Sequence, residues 1–580
     1  MTDSALLKPH VLREYALLGD GERGALLGPR GDITWMCAPR WHSASVFSTL
    51  AGGVGTYAVS PRDRFVWGGY YEPRSLIWRS RWVTTSGVIE CREALAYPAD
   101  EHRLVLLRTV HALDRTADVD VTFRPRGSYD TAQAEDVRSD NGVWSFRCGD
   151  LYGRWTSGPG AQHRDDTFTL RLDVPPGGHH HLVLELSDQP LPDRPADPHA
   201  TWQATEAAWQ AYADVPEGTL AAGDTVHNLA VLRGLTSRSG GMAAAATTSL
   251  PERSEAGRNY DYRYAWIRDQ CYAGQAAAVS GARDLLESAV GFVTARVLEH
   301  GPDLRPAYTV TGDTVPDERH LDLPGYPGGT DVVGNRAGVQ FQLDAFGESL
   351  LLFATAERLG VLDTDGARAA EVAVKAVADR WAEPDAGIWE LDERAWTHSR
   401  LITSAGLRAA GTARHDSAGA SWLTLADQIV ADTAQHALHP DGRWQRAADD
   451  LGLDAALLLP PLRGAVPPGD PRTAATLEAY LRELTVDGYA YRFRHDERPL
   501  AEAEGSFLLC GFFVALALQQ AGDPVEARAW FERTRAATGP PVLYSEEYDS
   551  RQHQMRGNLP QAFVHALMVE TAGRLGKELT

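Results

Sequence analysis

In the first third of the chain, apolar residues gather in short runs. DITWMCAP at 32–39, LIWRSRWVTT at 76–85, RLVLLRTVHAL at 103–113, DVDVTFRP at 118–125 and TFTLRLDV at 167–174 read as strands, and in the last two apolar and polar residues alternate with the period of two that sends side chains to opposite faces. They are rich in Val, Thr and aromatics, and Gly, Pro and Asp turns such as PPGG at 175–178 separate them. Strand follows strand up to about residue 188 with no helical spacing between, which predicts an antiparallel β-sandwich. The next segment, QPLPDRPADPHA at 189–200, holds four prolines. It suits neither a helix interior nor a central strand, and reads as a linker. TWQATEAAWQAYADV then takes up helical spacing and opens a helical bridge ending near Ser249. From about 250 to the end the period becomes 3.6, over Ala-rich segments at 281–299, 337–360, 366–382, 417–437, 471–485, 505–521, 524–537 and 560–575. About a dozen helices fit, as in a toroid of paired helices, and the segments share no repeat signature that would indicate a solenoid. The longest apolar run, 507–518, is shorter than the roughly 20 residues that span a bilayer, so it reads as a buried helix and not a membrane anchor.

Composition narrows the function classes. With 580 residues, 43% of them apolar, the chain suits two or three folded domains. The formal charge is −22, and only Lys8, Lys375 and Lys577 are lysines. A surface this acidic repels a phosphate backbone, which argues against nucleic acid as a partner. Five cysteines at 37, 91, 148, 271 and 510 include no CxxC pair, so neither a disulfide framework nor a zinc site is indicated. The N-terminus lacks the basic start and apolar core of an export signal, and a cytoplasmic location is expected. Oligomeric state is left open, with a homo-oligomer allowed.

Two local patterns invite readings that their context does not support. Gly19–Gly24 matches GxGxxG, but Gly28-Pro29 and Gly31 interrupt the helix a dinucleotide would need, so a turn between strands is expected and no cofactor is called for. His179-His180-His181 resembles a metal cluster. Consecutive strand residues face opposite ways, so these three cannot meet on one ion, and no metal is expected.

Three other segments carry chemistry. In the first, DAGIWE at 385–390, Glu390 follows Trp389 at the end of a loop. An apolar ring beside a carboxyl favours its protonated form, as a general acid requires. The plainer alternative is a surface Glu beside a core Trp. In the second, SEEYD at 545–549 could supply the second carboxylate that glycosidases need, or be a solvated acidic loop. The third, RNYDYRYAWIRD at 258–269, sets aromatic faces that stack on sugars among Arg–Asp pairs that bind hydroxyls. It suits a sugar site and a buried ion-pair network equally well.

At these segments the chain resembles glycoside hydrolase family 15, which holds glucoamylases, glucodextranases and bacterial or archaeal trehalases. The resemblance extends to YALLGD at 15–20, ITWMCAPR at 33–40, LRGLTSRSGGMAAAATTSLPE at 232–252, GRNYDYRYAWIRD at 257–269, and GYPGG at 325 through GNRAGVQFQLDAFGE at 334–348. Further on it takes in LDAALLLPPLRGAVPPGDPR at 453–472, EGSFLLCGFF at 504–513 and LYSEEYDSRQHQMRGNLPQAF at 543–563. It implies a β-sandwich over 1–200, a helical linker over 201–249 and an (α/α)6 catalytic barrel over 250–580. It implies that Glu390 is the general acid and Glu546 the general base, that Arg268 and Asp269 hold a glucose unit, and that Trp266 and Trp389 wall it. Tyr260 is a further candidate for substrate contact.

The chain also departs from the family pattern. Many bacterial members carry an Arg just before the counterpart of Gly334-Asn335. Here Thr330-Asp331-Val332-Val333 stands there, one residue shorter. Ser404 replaces a frequent Trp, and Arg408 a usual acidic residue. The resemblance puts these changes on the leaving-group side of the pocket. The expected activity is inverting, exo-acting hydrolysis of a small α-glucoside of the trehalose, maltose or isomaltose type, releasing glucose. The rivals are a member retuned for another α-glycoside or a glycosylated metabolite, and a non-catalytic carbohydrate-binding protein on the same fold.

Overall fold

The computed structural model describes residues 8–252, 258–414, 416–495 and 497–577. The first seven residues, where the reading of the N-terminus begins, and Gly257, which opens one of the quoted motifs, lie outside these ranges. The short apolar runs form two antiparallel sheets packed face to face. One runs in the order Ala16–Gly19, Gly24–Leu27, Asp32–Cys37, Thr56–Pro61, Ala117–Arg124, Thr167–Val174 and Gln162–Arg164, with Ser45–Phe47 beside Asp32–Cys37. The other runs Ala134–Asp140, Val143–Cys148, Leu151–Thr156, His179–Ser187, Arg103–Ala112, Val88–Leu95, Trp78–Thr84 and Phe65–Tyr71. The inward positions supply a shared core that includes Trp78, Trp82, Phe123, Trp155 and Phe168. Within it Arg108 is fully buried, paired with Glu93, and donates to the carbonyls of Gly31 at 2.7 Å and Tyr57 at 2.8 Å on the facing sheet. The GxGxxG segment is the hairpin between the first two strands. All five cysteines are buried and unpaired.

The proline-rich segment runs along the second sheet, held by Arg154, which donates to Pro192 O at 2.7 Å and is paired with Glu185. Its last proline opens a helix. Pro198–Gln210 begins with proline in its first turn and with Asp197 accepting from Ala200 N, both ordinary ways to start one. This helix lies on the sandwich through Trp202, whose Nε1 donates to Thr109 Oγ1 at 3.0 Å, and through Trp209, stacked 4.2 Å from Tyr97.

The rest is a closed double ring of helices. Ile267–Ser280, Leu343–Arg358, Thr397–Ala413, Leu459–Leu462, Leu508–Gln520 and Ala562–Lys577 each contact the next, and the last contacts the first. Outside them pack Arg283–His300, Thr364–Arg380, Ser417–His436, Pro471–Glu483, Pro524–Arg535 and Ala222–Leu235. Among the described residues this gives six inner and six outer helices, an (α/α)6 barrel. Ala222–Leu235 falls in the stretch expected to be linker, yet it packs against Ala562–Lys577 as the twelfth member of the ring. The apolar run at 507–518 supplies an inner helix buried from Leu508 to Leu518, as a helix apolar on all sides must be. Two inner helices touch at glycines: a Cβ on Gly406 would stand 2.4 Å from Gly347 O. No described helix is long and apolar enough to cross a membrane.

The sandwich braces one end of the barrel. Trp35 Nε1 donates to Ala246 O at 3.0 Å, and the buried Asp261–Arg263 pair reaches Ser43 O at 2.8 Å and Tyr129 Oη at 3.0 Å. The segment 258–269 is thereby held between the domains.

Candidate active site

Loops at that end of the barrel enclose a cavity of about 580 Å³. Five of the seven site residues expected from the sequence line it: Tyr260, Arg268, Trp389, Glu390 and Glu546. Trp266 and Asp269 stand one layer behind. Trp266 is 2% exposed, packed among Ala244, Tyr264 and Ala307, so it does not wall the cavity as expected. Its indole Nε1 instead donates to Glu390 Oε1 at 2.7 Å. Asp269 is buried and accepts from Arg268 Nε at 3.1 Å, fixing a guanidinium that also donates to Ile388 O at 2.6 Å.

The loop before Glu390 is tied down from within. Asp385 Oδ2 accepts from Leu343 N, Gly387 N and Ser399 Oγ at 3.1, 3.1 and 2.8 Å. Gly387 has a φ of 67°, and a Cβ there would stand 2.8 Å from the Trp396 ring. Glu390 itself has a φ of 57°, a left-handed conformation that costs a non-glycine residue energy and tends to persist where it aims a functional side chain. A quarter of its side chain remains exposed, toward the cavity, with Arg268 Nη1 at 3.9 Å from Oε1. Burial raises its pKa above the usual carboxyl value, opposed by Arg268 and the Trp266 hydrogen bond. Trp389 lines the cavity with its Nε1 donating to Asp454 Oδ1 at 2.8 Å.

Across the cavity the acidic trio divides its work. Glu546 reaches the cavity, Glu547 is buried and accepts from Gly505 N at 2.9 Å, and Asp549 caps a turn by accepting from Arg551 N and Gln552 N. Tyr262 Oη donates to Glu546 Oε1 at 3.2 Å, and the Tyr262 ring meets Trp266 edge-on at 5.5 Å. One aromatic unit therefore holds both carboxyls, Tyr262 on Glu546 and Trp266 on Glu390. The segment 258–269 is both of the things its sequence allowed: Asp261 and Arg263 form the buried pair at the seam, while Tyr260, Tyr262 and Arg268 face the cavity.

Sequence reasoning did not single out Tyr262, Glu252 or Arg492. Glu252 is buried beside Glu546: both lie against Gly557, where a Cβ would stand 3.3 Å from Glu546 Oε2 and 3.7 Å from Glu252 Cγ. Burial raises both carboxyls. Glu546 goes well above its usual value because the charge of Glu252 adds to the burial. Arg492 serves the other carboxyls, 2.7 Å from Glu504, 3.6 Å from Glu547 and 3.8 Å from Glu252. The final residue of TTSLPE, close before 258–269, was the available signal for Glu252. No motif marked Arg492.

The departures fall differently from expectation. Thr330 and Val332 line the cavity, and Val332–Val333 pairs with Arg319–His320 as a hairpin on the rim. Arg336, just after Gly334-Asn335, also lines the rim. Ser404 does not: it is fully buried and its Oγ donates to Ala426 O at 3.0 Å on the neighbouring outer helix. Arg408 points outward to Asp427 and Ala465 O. Neither can act on a leaving group from there.

Comparison with known proteins agrees with this architecture. The family model "Glycosyl hydrolases family 15" matches residues 225–573, and "Trehalase-like, N-terminal" matches residues 8–149. A trehalase of Mycobacterium tuberculosis is 31% identical over an alignment covering 96% of this chain and 88% of that protein. A trehalase of Thermoplasma acidophilum is 27% identical, covering 95% of this chain and 98% of that protein. Among solved structures, a bacterial glucoamylase complexed with acarbose superposes with a TM-score of 0.74 at 13% identity, covering 98% of this chain and 94% of that one. This likeness shows the fold.

Proposed function

Since the chain belongs to glycosyl hydrolases family 15, we propose that it is an inverting, exo-acting hydrolase of a small α-glucoside, trehalose before maltose or isomaltose. The observation that carries the reading is the placement of Glu390 and Glu546 on one cavity, each held by its own donor, Trp266 or Tyr262. Glu390 is given the acid's role by its place in the family motif DAGIWE, since burial raises both carboxyls, and it passes its proton to the glycosidic oxygen. Glu546, when ionised, takes a proton from the water that attacks the anomeric carbon on the other face. Arg268 donates to the hydroxyls of the bound glucose, and Asp269 positions Arg268. Trp389 and Tyr260 offer ring faces to the sugar. The cavity's size is that of a small-molecule site and not of a long groove. The relatives named trehalases put trehalose first among the candidates.

The test is a panel of trehalose, maltose, isomaltose and soluble starch, followed by proton NMR during the first turnovers. Trehalose should give the highest kcat/KM, and soluble starch outperforming it would refute the small-substrate reading. For inversion, the glucose unit whose anomeric carbon the water attacks must appear first as the β anomer. With maltose this glucose comes from the non-reducing unit, and an initial excess of its α anomer would indicate a covalent intermediate and exclude the roles given to both carboxyls.

The Glu252–Glu546 contact adds a pH prediction. A base whose pKa is raised is ionised only above that raised value, so kcat/KM should fall on the acid side at a pH above the ordinary Glu range. Glu252→Gln removes the negative neighbour, and a nearby charge typically moves a pKa by about 1–3 units. The acid limb should therefore move to lower pH by an amount of that order. An unmoved limb in an active Glu252→Gln enzyme would show that Glu252 does not govern Glu546.

A further inference from the structure

The odd positions at the start of the strand His179–Ser187 face away from the sandwich core. His179 stands opposite His111 in register and His181 opposite Thr109. His180 turns to the other side, where its Nε2 lies 2.9 Å from Ser157 O. The pleat that keeps three consecutive histidines apart thus still leaves two of them on one face. A third arrives from elsewhere. His199 lies in the first turn of Pro198–Gln210, the helix packed on this face. One ring nitrogen from each of His179, His181 and His199 falls within 4.8 Å of the others. The ring centroids are 4.8 Å apart for His179 and His181 and 4.7 Å for His181 and His199.

The middle histidine is already aimed. His181 Nδ1 lies 3.0 Å from Thr109 Oγ1, which accepts from Trp202 Nε1 at 3.0 Å. With Nδ1 engaged, Nε2 is the nitrogen left to bind, and it is buried without a hydrogen-bond partner. An outer hydrogen bond that fixes the ring of a ligand histidine is a regular feature of metal sites.

We propose that His179, His181 and His199 bind one divalent transition-metal ion of the zinc class, which clips the helix Pro198–Gln210 onto the sandwich. Three imidazoles suit Zn²⁺, Ni²⁺ or Cu²⁺, whereas Mg²⁺ and Ca²⁺ require oxygen ligands. Zn–N bonds of about 2.0–2.1 Å in a tetrahedron put the donors roughly 3.4 Å apart. His179 and His199 are exposed and can close the remaining gap by side-chain rotation. Water takes the fourth position. None of these residues lines the cavity of Glu390 and Glu546, so the ion acts on the tie between helix and sheet and leaves hydrolysis to the barrel.

Isothermal titration of the full-length, chelator-treated protein with ZnCl2 tests this. The expected result is one Zn²⁺ per chain, with the affinity lowered at least about tenfold in His181→Gln and in His199→Gln, taking the size of second-shell effects as a lower bound for loss of a ligand. His199 is exposed, so its variant should fold normally, and circular dichroism with unchanged hydrolysis of the best substrate verifies this. MgCl2 should give no binding heat under the same conditions. Absence of Zn²⁺ uptake by the wild-type protein would overturn the proposal, as would wild-type Zn²⁺ affinity in folded His199→Gln. Either result would leave the cluster as a packing contact between imidazoles.

Discussion

Glu390→Gln and Glu546→Gln should each lower kcat on the best α-glucoside by about 10²–10⁴-fold, the usual contribution of a general acid or base. Gln keeps the size of each side chain, and the Trp266 and Tyr262 donors still find a carbonyl oxygen, so the loss should appear in kcat with thermal unfolding little changed. The two variants are then separated by the leaving group. Fluoride departs from α-glucosyl fluoride without first taking a proton, so Glu390→Gln should recover most of its rate on this substrate. Glu546→Gln lacks the group that activates water, and should stay slow on both substrates. Near-wild-type turnover of the natural glucoside by either folded variant would remove that residue from the mechanism. Equal recovery of both on the fluoride would remove the distinction between acid and base.

What the sequence made legible follows from the range of the forces involved. The alternation in 167–174 could be read because one face of that strand is buried in the sandwich and the other is not. The run at 507–518 could be read because an inner helix is enclosed on every side. Ala222–Leu235 could not be read as part of the barrel, because the partner that makes it so, Ala562–Lys577, lies more than 300 residues away. In the site, Glu390 and Glu546 stood out through motifs. The neighbours of Glu546, Tyr262 and Glu252, did not, since they come from the opposite end of the catalytic domain. Ser404 shows the limit of placing a residue by motif. Ser399 faces the site loop through Asp385. Five residues on, at about 100° each, Ser404 is turned roughly 140° round the helix, onto the outer helix and away from the cavity. The histidine triplet shows the same limit in reverse. Strand geometry accounts for His180, and nothing local announces that His199 will come to lie beside His179 and His181.

The largest expected loss of stability lies deeper in the barrel, at Arg463. This residue follows the short inner helix Leu459–Leu462, has a side chain only 3% exposed, and forms a two-pronged pair with Glu570 on Ala562–Lys577, with Nη2 to Oε2 at 2.8 Å. Glu570 is fully buried. Burial alone would raise its pKa, yet Arg463, and after it Arg574, hold it down at about 2. Removing one partner of a buried pair leaves the other charge in a medium that solvates it poorly, at a typical cost of about 3–5 kcal/mol. Arg574 Nε, 2.8 Å from Glu570 Oε1, remains as a weaker, partly exposed partner, so Arg463→Ala should fall toward the lower end of that range. Because the folded-state pKa of Glu570 lies below its ordinary value, its contribution to stability is complete above the ordinary Glu range and is lost as pH falls toward about 2. The destabilisation by Arg463→Ala, measured as the shift in thermal or urea unfolding, should therefore be full at neutral pH and shrink as the solution is acidified. The double variant Arg463→Met with Glu570→Gln, which leaves no stranded charge, should recover most of the loss. If Arg463→Ala proves as stable as the parent at pH 7, or if the double variant is no better than the single one, the pair does not hold these inner helices together.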